Sequence, residues 1–189
     1  MKSTWKSTLA WVGTALAALV LAIASPYDST VMGRLPTVIG QRFDRQPVAF
    51  PQGLPADRTL ALVTFSPDQR KDAESWIKGL QLESDPSIAW VRMPVINDPK
   101  DPVARGAVED RLLSRYATAT ERRNLLPVFT DRAAFIQSLG IGNADRAYVL
   151  VINRDGEVLA RVSGQYDEVK AQALRETLQV HGLLGRTPQ

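Results

Sequence analysis

Ser66 follows the apolar run Leu60-Ala-Leu-Val-Thr-Phe65 and precedes Pro67-Asp68, a place from which a hydroxyl could attack as a hydrolase nucleophile. Such a serine needs an adjacent base to take its proton. The chain has one histidine, His181, far away near the C-terminus. No residue pair in the sequence predicts a base for Ser66, so it reads first as a helix cap and His181 as a cation near a helix end. With no cysteine in 189 residues, disulfides, thiolate nucleophiles, thiol redox couples, cysteine zinc sites and lipidated cysteines are all excluded. Asp68, Asp72 and Glu74 suit the start of a helix but fix no metal geometry. The loop Asn97-Asp-Pro-Lys-Asp-Pro102 lacks the further carboxylates of a calcium loop. Gly140-Ile-Gly142 lacks the third glycine and the preceding strand of a phosphate cradle. The sequence therefore implies no cofactor, no metal and no catalytic residue.

These residues must be positioned by elements that alternate. Leu60–Phe65 suits a buried central strand. Ala73, Trp76, Ile77 and Leu80 recur at i, i+3, i+4, i+7 and mark one helix face, with both Trp76 and Trp90 in core patterns. Ile88–Ile96 reads as a second strand, and Pro94 within it predicts an edge or a bulge. Ala104, Val108, Leu112 and Tyr116 mark another amphipathic helix. Glu121-Arg-Arg-Asn124 reads as a solvated connection. Leu126-Pro-Val-Phe129 is a short strand, and Asp131 caps a helix to Leu139 that Gly140 ends. Ala147–Ile152, the turn Asn153-Arg-Asp-Gly156 and Glu157–Ser163 form a β-hairpin ended by Gly164. A last helix spans about 167–180, with Val169, Ala173, Leu174 and Leu178 inward. The order β-α-β-α-β-α-β-β-α predicts an α/β fold with a mixed central sheet flanked by helices.

The N-terminus carries export chemistry. Met1–Lys6 is short and basic, Leu9–Ala24 is apolar apart from Thr14, and Ala22-Ile23-Ala24 has the small-x-small form of a cleavage site. The strictly apolar run would extend about 24 Å, short of a roughly 30 Å hydrocarbon core. The charge-free stretch Ser7–Tyr27 is long enough to span. Residues 1–24 are thus a cleaved signal peptide or a membrane anchor, and either sends the domain to the periplasmic side, with membrane association through residues 9–24. Residues 25–58, rich in proline, read as a linker and entry segment ahead of a domain at 59–181, with a tail at 182–189. Within them Val48-Ala-Phe50 reads as a short edge strand. Setting aside Lys2 and Lys6 leaves twenty-one basic against twenty acidic residues, which gives no reason to expect nucleic acid. Seventeen of the basic residues are arginine, a bias that genome composition explains.

The element order resembles the thioredoxin-like superfamily, in the longer form of exported TlpA-type and redoxin proteins. Pro127-Val-Phe-Thr-Asp131 through Leu139-Gly-Ile141, and the hairpin Val149–Gly164, carry the resemblance over roughly residues 36 to 180. Leu139-Gly-Ile-Gly-Asn143, Ala147-Tyr-Val-Leu-Val151, Asp155-Gly156 and Ser163-Gly164 are also similar to the C-terminal part of the mitochondrial ATPase-complex assembly factor family. Redox-active members of the superfamily place two cysteines where the first central strand meets its helix; here that stretch is Phe65-Ser-Pro-Asp-Gln-Arg70. They place a cis-proline before the penultimate strand; here Asn143-Ala-Asp-Arg-Ala147 has none. The resemblance thus implies the scaffold without its redox site.

Fold and chemistry separate readily in such scaffolds. The expected role is a redox-inactive binding or assembly factor for another cell-envelope or membrane protein, not an enzyme. Its candidate partner-binding edge is Ser66, Pro67, Asp68, Gln69, Asn143 and Arg146. The alternatives are a small-molecule or lipid binder, which requires a sizeable apolar pocket, and a hydrolase using Ser66.

Overall fold

The computed structural model describes residues 32–41, 46–116 and 118–179. The expected signal or anchor segment 1–24, His181 and the tail 182–189 lie outside the described residues. Among the described residues no helix is long and apolar enough to cross a membrane.

The apolar run at 60–65 forms β3 (Arg58–Thr64), buried along all but its two end residues. A 3₁₀ turn at Pro67–Gln69 leads into α1 (Arg70–Gly79), then β4 (Trp90–Asn97), α2 (Pro102–Arg115), α3 (Ala119–Arg123), β5 (Val128–Thr130), α4 (Arg132–Ser138), the hairpin β6 (Tyr148–Asn153) and β7 (Val158–Ser163), and α5 (Glu168–Gln179). Two further strands, β1 (Val38–Gln41) and β2 (Pro47–Phe50), precede them. All seven strands join one sheet in the order β2-β1-β5-β4-β3-β6-β7. β3, β4 and β5 run parallel. β6 is antiparallel to β3, with Leu60 opposite Val151 and Val63 opposite Tyr148.

Alternation along β3 sends its side chains into two cores. Ala61 and Val63 pack with Met93, Leu150, Phe135 and Leu139 on one face. Leu60 and Leu62 pack with Trp76, Ile77, Val149 and Leu174 on the other. The row Ala73, Trp76, Ile77 and Leu80 is buried as its spacing predicts. The Trp76 indole donates to the Gly164 carbonyl at 2.8 Å and meets Tyr166 edge-on at 5.2 Å. A Cβ at Gly79 would lie 2.3 Å from the Tyr166 ring, so only glycine lets that ring settle here. α4 ends at Gly140 (φ 63°): the Gly140 N–H donates to the Gln137 carbonyl and the Ile141 N–H to that of Ile136, both at 3.0 Å, the paired bonds of a Schellman ending.

Four expectations change. Residues 32–58 are more than a linker: Val38–Gln41 and Pro47–Phe50 extend the sheet, the latter containing the edge strand read at Val48–Phe50, and Leu35, Phe50 and Leu54 enter the core. Pro94 lies in a central strand, not at an edge. Its missing donor falls at a junction in the ladder: Arg92 still exchanges bonds with Asn124 and Leu126, and pairing with β5 starts only at Val95. Glu121–Asn124 is a built corner, since α3 carries a capping box between Thr118 and Glu121. In α5 Leu174 and Leu178 pack inward as expected, joined by Ala171, while Val169 is 81 % exposed and Ala173 is exposed too, because the inward stripe runs through Ala171, Leu174 and Leu178.

Candidate functional site

The carboxyl ends of β3, β4 and β5 converge on the 3₁₀ turn, α1 and α2. Pro67 holds the preceding Ser66 extended, at φ −144° and ψ 157°, so β3 stops and the chain turns. Ser66 occupies the cap position, yet its side chain makes no cap hydrogen bond. The turn is closed by the backbone instead, Gln69 N–H to the Ser66 carbonyl at 3.3 Å. Among the described residues no acid or base is hydrogen-bonded to the Ser66 hydroxyl, so no nucleophile–base pair is present.

Gln69 sits differently from its expected place on an exposed edge. It is 6 % exposed. Its side-chain oxygen accepts from the Phe65 N–H at 2.8 Å, and its amide nitrogen donates to the Ala144 carbonyl at 2.6 Å. One carboxamide therefore ties the end of β3 to the loop before β6, the two stretches that the sequence paired as a candidate edge. Phe65 and Tyr148 meet edge-on beside this link at 6.4 Å. Asn143 accepts from the Asp145 N–H at 3.3 Å and from the Tyr148 hydroxyl at 3.4 Å. Pro67, Asp68, Asn143 and Arg146 are exposed and Ser66 is half-buried. Arg146 lies close to Gly164 at the end of β7. The structure thus gathers Ser66, Pro67, Asp68 and Asn143 around a buried Gln69 brace and sets Arg146 toward β7.

On the α2 side of the same strand ends lies something the sequence reading did not find. A cavity of about 320 Å³ opens between β3, β4 and α2. Phe65, Pro94, Ile96, Val108 and Leu112 form much of its apolar wall, and Arg70, Arg111, Arg115 and Arg132 stand around it. Arg70 is held in place: it donates to the Arg115 carbonyl at 2.7 Å, pairs with Glu121 at 3.0 Å and Glu74 at 3.4 Å, and lies over the Tyr116 ring. Behind it Arg92, 3 % exposed, donates to Glu74 at 2.8 Å and faces the rings of Trp90 and Tyr116. Burial pushes the Glu74 carboxyl up, but hydrogen bonds and charges from Arg92 and then Arg70 outweigh it and hold the carboxyl below its ordinary pKa. The sequence signal for the cavity was the pair Arg111 and Arg115, each one residue short of the apolar row Leu112 and Tyr116.

Elsewhere the acidic candidates serve local structure. Asp98 accepts from the Lys100 N–H at 3.0 Å and Asp101 from the Ala104 N–H at 3.0 Å. Among the described residues no group of three or more His, Cys, Asp or Glu side chains is placed to hold a metal ion.

Neither a family model nor a curated protein matches the chain. Solved structures do. A candidate electron transfer protein of Aquifex aeolicus VF5 superposes with a TM-score of 0.55 at 10 % identity, over 79 % of this chain and 94 % of that one. BsSco, a member of the Sco family of cytochrome c oxidase assembly proteins in which a disulfide switch was identified, gives 0.53 at 15 %, over 78 % and 95 %. Yeast Sco1 gives 0.51 at 12 %, over 83 % and 98 %. The fold is thioredoxin-like. Within that thioredoxin-like fold the strand–helix junction holds Phe65–Arg70, and the chain has no cysteine to place there or anywhere else. This chain therefore has no residue that could carry thiol–disulfide exchange.

Proposed function

We propose that this chain is a redox-inactive, exported thioredoxin-like protein that serves as a binding or assembly factor for a protein of the cell envelope. The observation that carries this reading is the Gln69 brace. Where redox-active members of the superfamily place two cysteines, this chain has Phe65–Arg70, and within that stretch the buried Gln69 carboxamide engages the backbone through both its oxygen and its nitrogen. The Gln69 carboxamide is satisfied inside the junction, so what the junction offers outward is the surface of Ser66, Pro67, Asp68, Asn143 and Arg146. BsSco is named for assembly of cytochrome c oxidase, which gives this fold a precedent for such a role. The basic start and apolar stretch of residues 1–24 support export, either as a cleaved signal or as an anchor.

Capture of envelope proteins on the full chain, followed by crosslinking and mass spectrometry, tests the reading. A specific partner crosslinked within 66–68 or 143–146, and lost on Asp68→Lys with Arg146→Glu, is the expected outcome. Capture that the two substitutions leave unchanged removes this surface from the proposal. Intact mass of the exported protein distinguishes cleavage after residue 24 from retention as an anchor.

A further inference from the structure

The geometry points to the cavity under α2 as a binding site for a small anionic amphiphile: a short apolar chain or ring ending in one carboxylate or phosphate. The inference goes beyond the protein-partner reading and does not depend on it.

The first observation is the cavity itself. At about 320 Å³ it falls within the range of roughly 300–1,000 Å³ typical of small-molecule sites. It exists because α2 stands off the sheet: none of the helix's residues is fully buried, although Val108 and Leu112 face the apolar ends of β4. A helix with an apolar row and nothing packed tightly under it leaves room for a guest of the same polarity.

The second is charge. Four arginines line the cavity and no aspartate or glutamate does. Outside the N-terminal segment the chain is almost neutral, so this clustering is local. The carboxylates that pair with Arg70 face other groups as well: Glu74 also binds Arg92, and Glu121 also closes its own helix cap. Arg111 and Arg115 form no ion pair among the described residues, and Arg132 contacts only the Phe65 carbonyl, at 3.2 Å, through its guanidinium. Three arginines that line an apolar cavity and have no carboxylate partner match one planar or tetrahedral anion, which arginine binds by paired N–H bonds. The apolar wall asks for more than the anion: phosphate alone would leave it uncovered.

Isothermal titration calorimetry of the full chain tests this, with octanoate, octyl phosphate, octanol and inorganic phosphate as the probes. Octanoate or octyl phosphate should bind one per chain, at least tenfold more tightly than octanol and than inorganic phosphate. Arg111→Glu with Arg115→Glu should weaken binding at least tenfold, and Arg154→Glu, on the distant β6–β7 turn, should leave it unchanged. Leu112→Trp, which fills the cavity from the helix side, should abolish it, with circular dichroism verifying that each variant is folded. Absence of saturable binding, equal affinity for octanol, or affinity unchanged by the paired arginine substitutions would overturn the inference. Vesicles of phosphatidylcholine with phosphatidylglycerol then separate the sources. Recruitment of the parent chain beyond that of the paired arginine variant assigns a lipid, and equal recruitment with octanoate binding intact assigns a free molecule.

Discussion

α1 and α2 flank the same ends of the parallel strands, and both carry an apolar row at helical spacing. They end up held in opposite ways. α1 buries Ala73, Trp76 and Ile77 against the sheet; α2 buries none of its residues fully. α1 begins without a side-chain cap, whereas α2 begins at Asp101, which accepts from the Ala104 N–H with Pro102 in the first turn. One helix is fixed by its core, the other by its own terminus. Tertiary burial stabilises a helix far more than propensity or capping does, so the loosely packed helix is the one that can stand above a cavity. The contrast separates scaffold from site more sharply than the patterns themselves do.

The largest expected effect breaks α1. Trp76 is fully buried, and Trp76→Ala should lower stability by about 3–5 kcal/mol through lost burial, the cavity left behind and the lost bond to Gly164. Leu112→Ala in α2 should remove no more than about 1 kcal/mol, since its side chain is only half-buried and already borders a void. Urea unfolding of the two variants measures both. Equal losses would mean that α2 is packed as tightly as α1.

Next comes the charge network between α1 and β4. Glu74→Gln deprives the buried Arg92 guanidinium of its counter-charge and should cost about 1–3 kcal/mol, below the figure for a fully buried pair because the Glu74 side chain keeps 30 % exposure. The folded Glu74 carboxyl lies below its ordinary value of 4.5. Its contribution is therefore complete above that value and is lost as pH falls through the lower folded one. The gap in stability between parent and Glu74→Gln should narrow on acidification in that window and stay flat from pH 6 to 8. A gap that widens toward acid would reverse the assigned sign.

Gln69 comes third. Replacing it with alanine leaves the Phe65 N–H and the Ala144 carbonyl without their partner and should cost about 1–3 kcal/mol. Gln69→Glu keeps an acceptor for Phe65 but turns a carboxylate oxygen toward the Ala144 carbonyl, so it should be the worse of the two at neutral pH. Hydrogen exchange at the Phe65 amide and the 143–146 loop would localise the loss. If both substitutions leave that loop unchanged, the brace is not what joins the two stretches.

The scaffold was legible because β3, α1 and the β6–β7 hairpin each carry a local signal that agrees with the global arrangement: Leu60–Phe65 apolar, Trp76 and Ile77 one turn from Ala73, Asn153–Gly156 a turn. Pro94 misled because a missing donor suggests an edge, while the junction between Arg92 and Val95 gives it a place in a central strand. Val48–Phe50 was legible as an edge strand, but Val38–Gln41 was not, because a short strand in a proline-rich stretch takes its stability from partners distant in the sequence. The site was the least legible part. Gln69 looked like a surface polar residue, since nothing local reveals that Ala144 lies within its reach. Of the cavity only the basic rim left a trace, as Arg111 and Arg115 beside the apolar row; the void itself left none, since Val108 and Leu112 have the same spacing whether the space beneath them is filled or empty.

The smallest effects test how each helix begins. Ser66 and Asp101 both precede a proline and both stand at the cap position of the turn that follows. Only Asp101 accepts a hydrogen bond from the turn it precedes. The Ser66 hydroxyl makes none, because the tight 3₁₀ turn is closed by the Gln69 N–H on the Ser66 carbonyl and the Gln69 side chain supports the strand end. Asp101→Ala should therefore cost about 1 kcal/mol and raise amide exchange in the first turn of α2. Ser66→Ala should change stability by less than about 0.5 kcal/mol. The same variant bears on chemistry: a nucleophilic Ser66 would lose esterase turnover with alanine while stability stayed level, and a surface Ser66 shows no turnover to lose. A drop of 1 kcal/mol or more at Ser66 would show that α1 also leans on its own terminus, and the division between a helix fixed by its core and one fixed by its cap would fail at its nearest point.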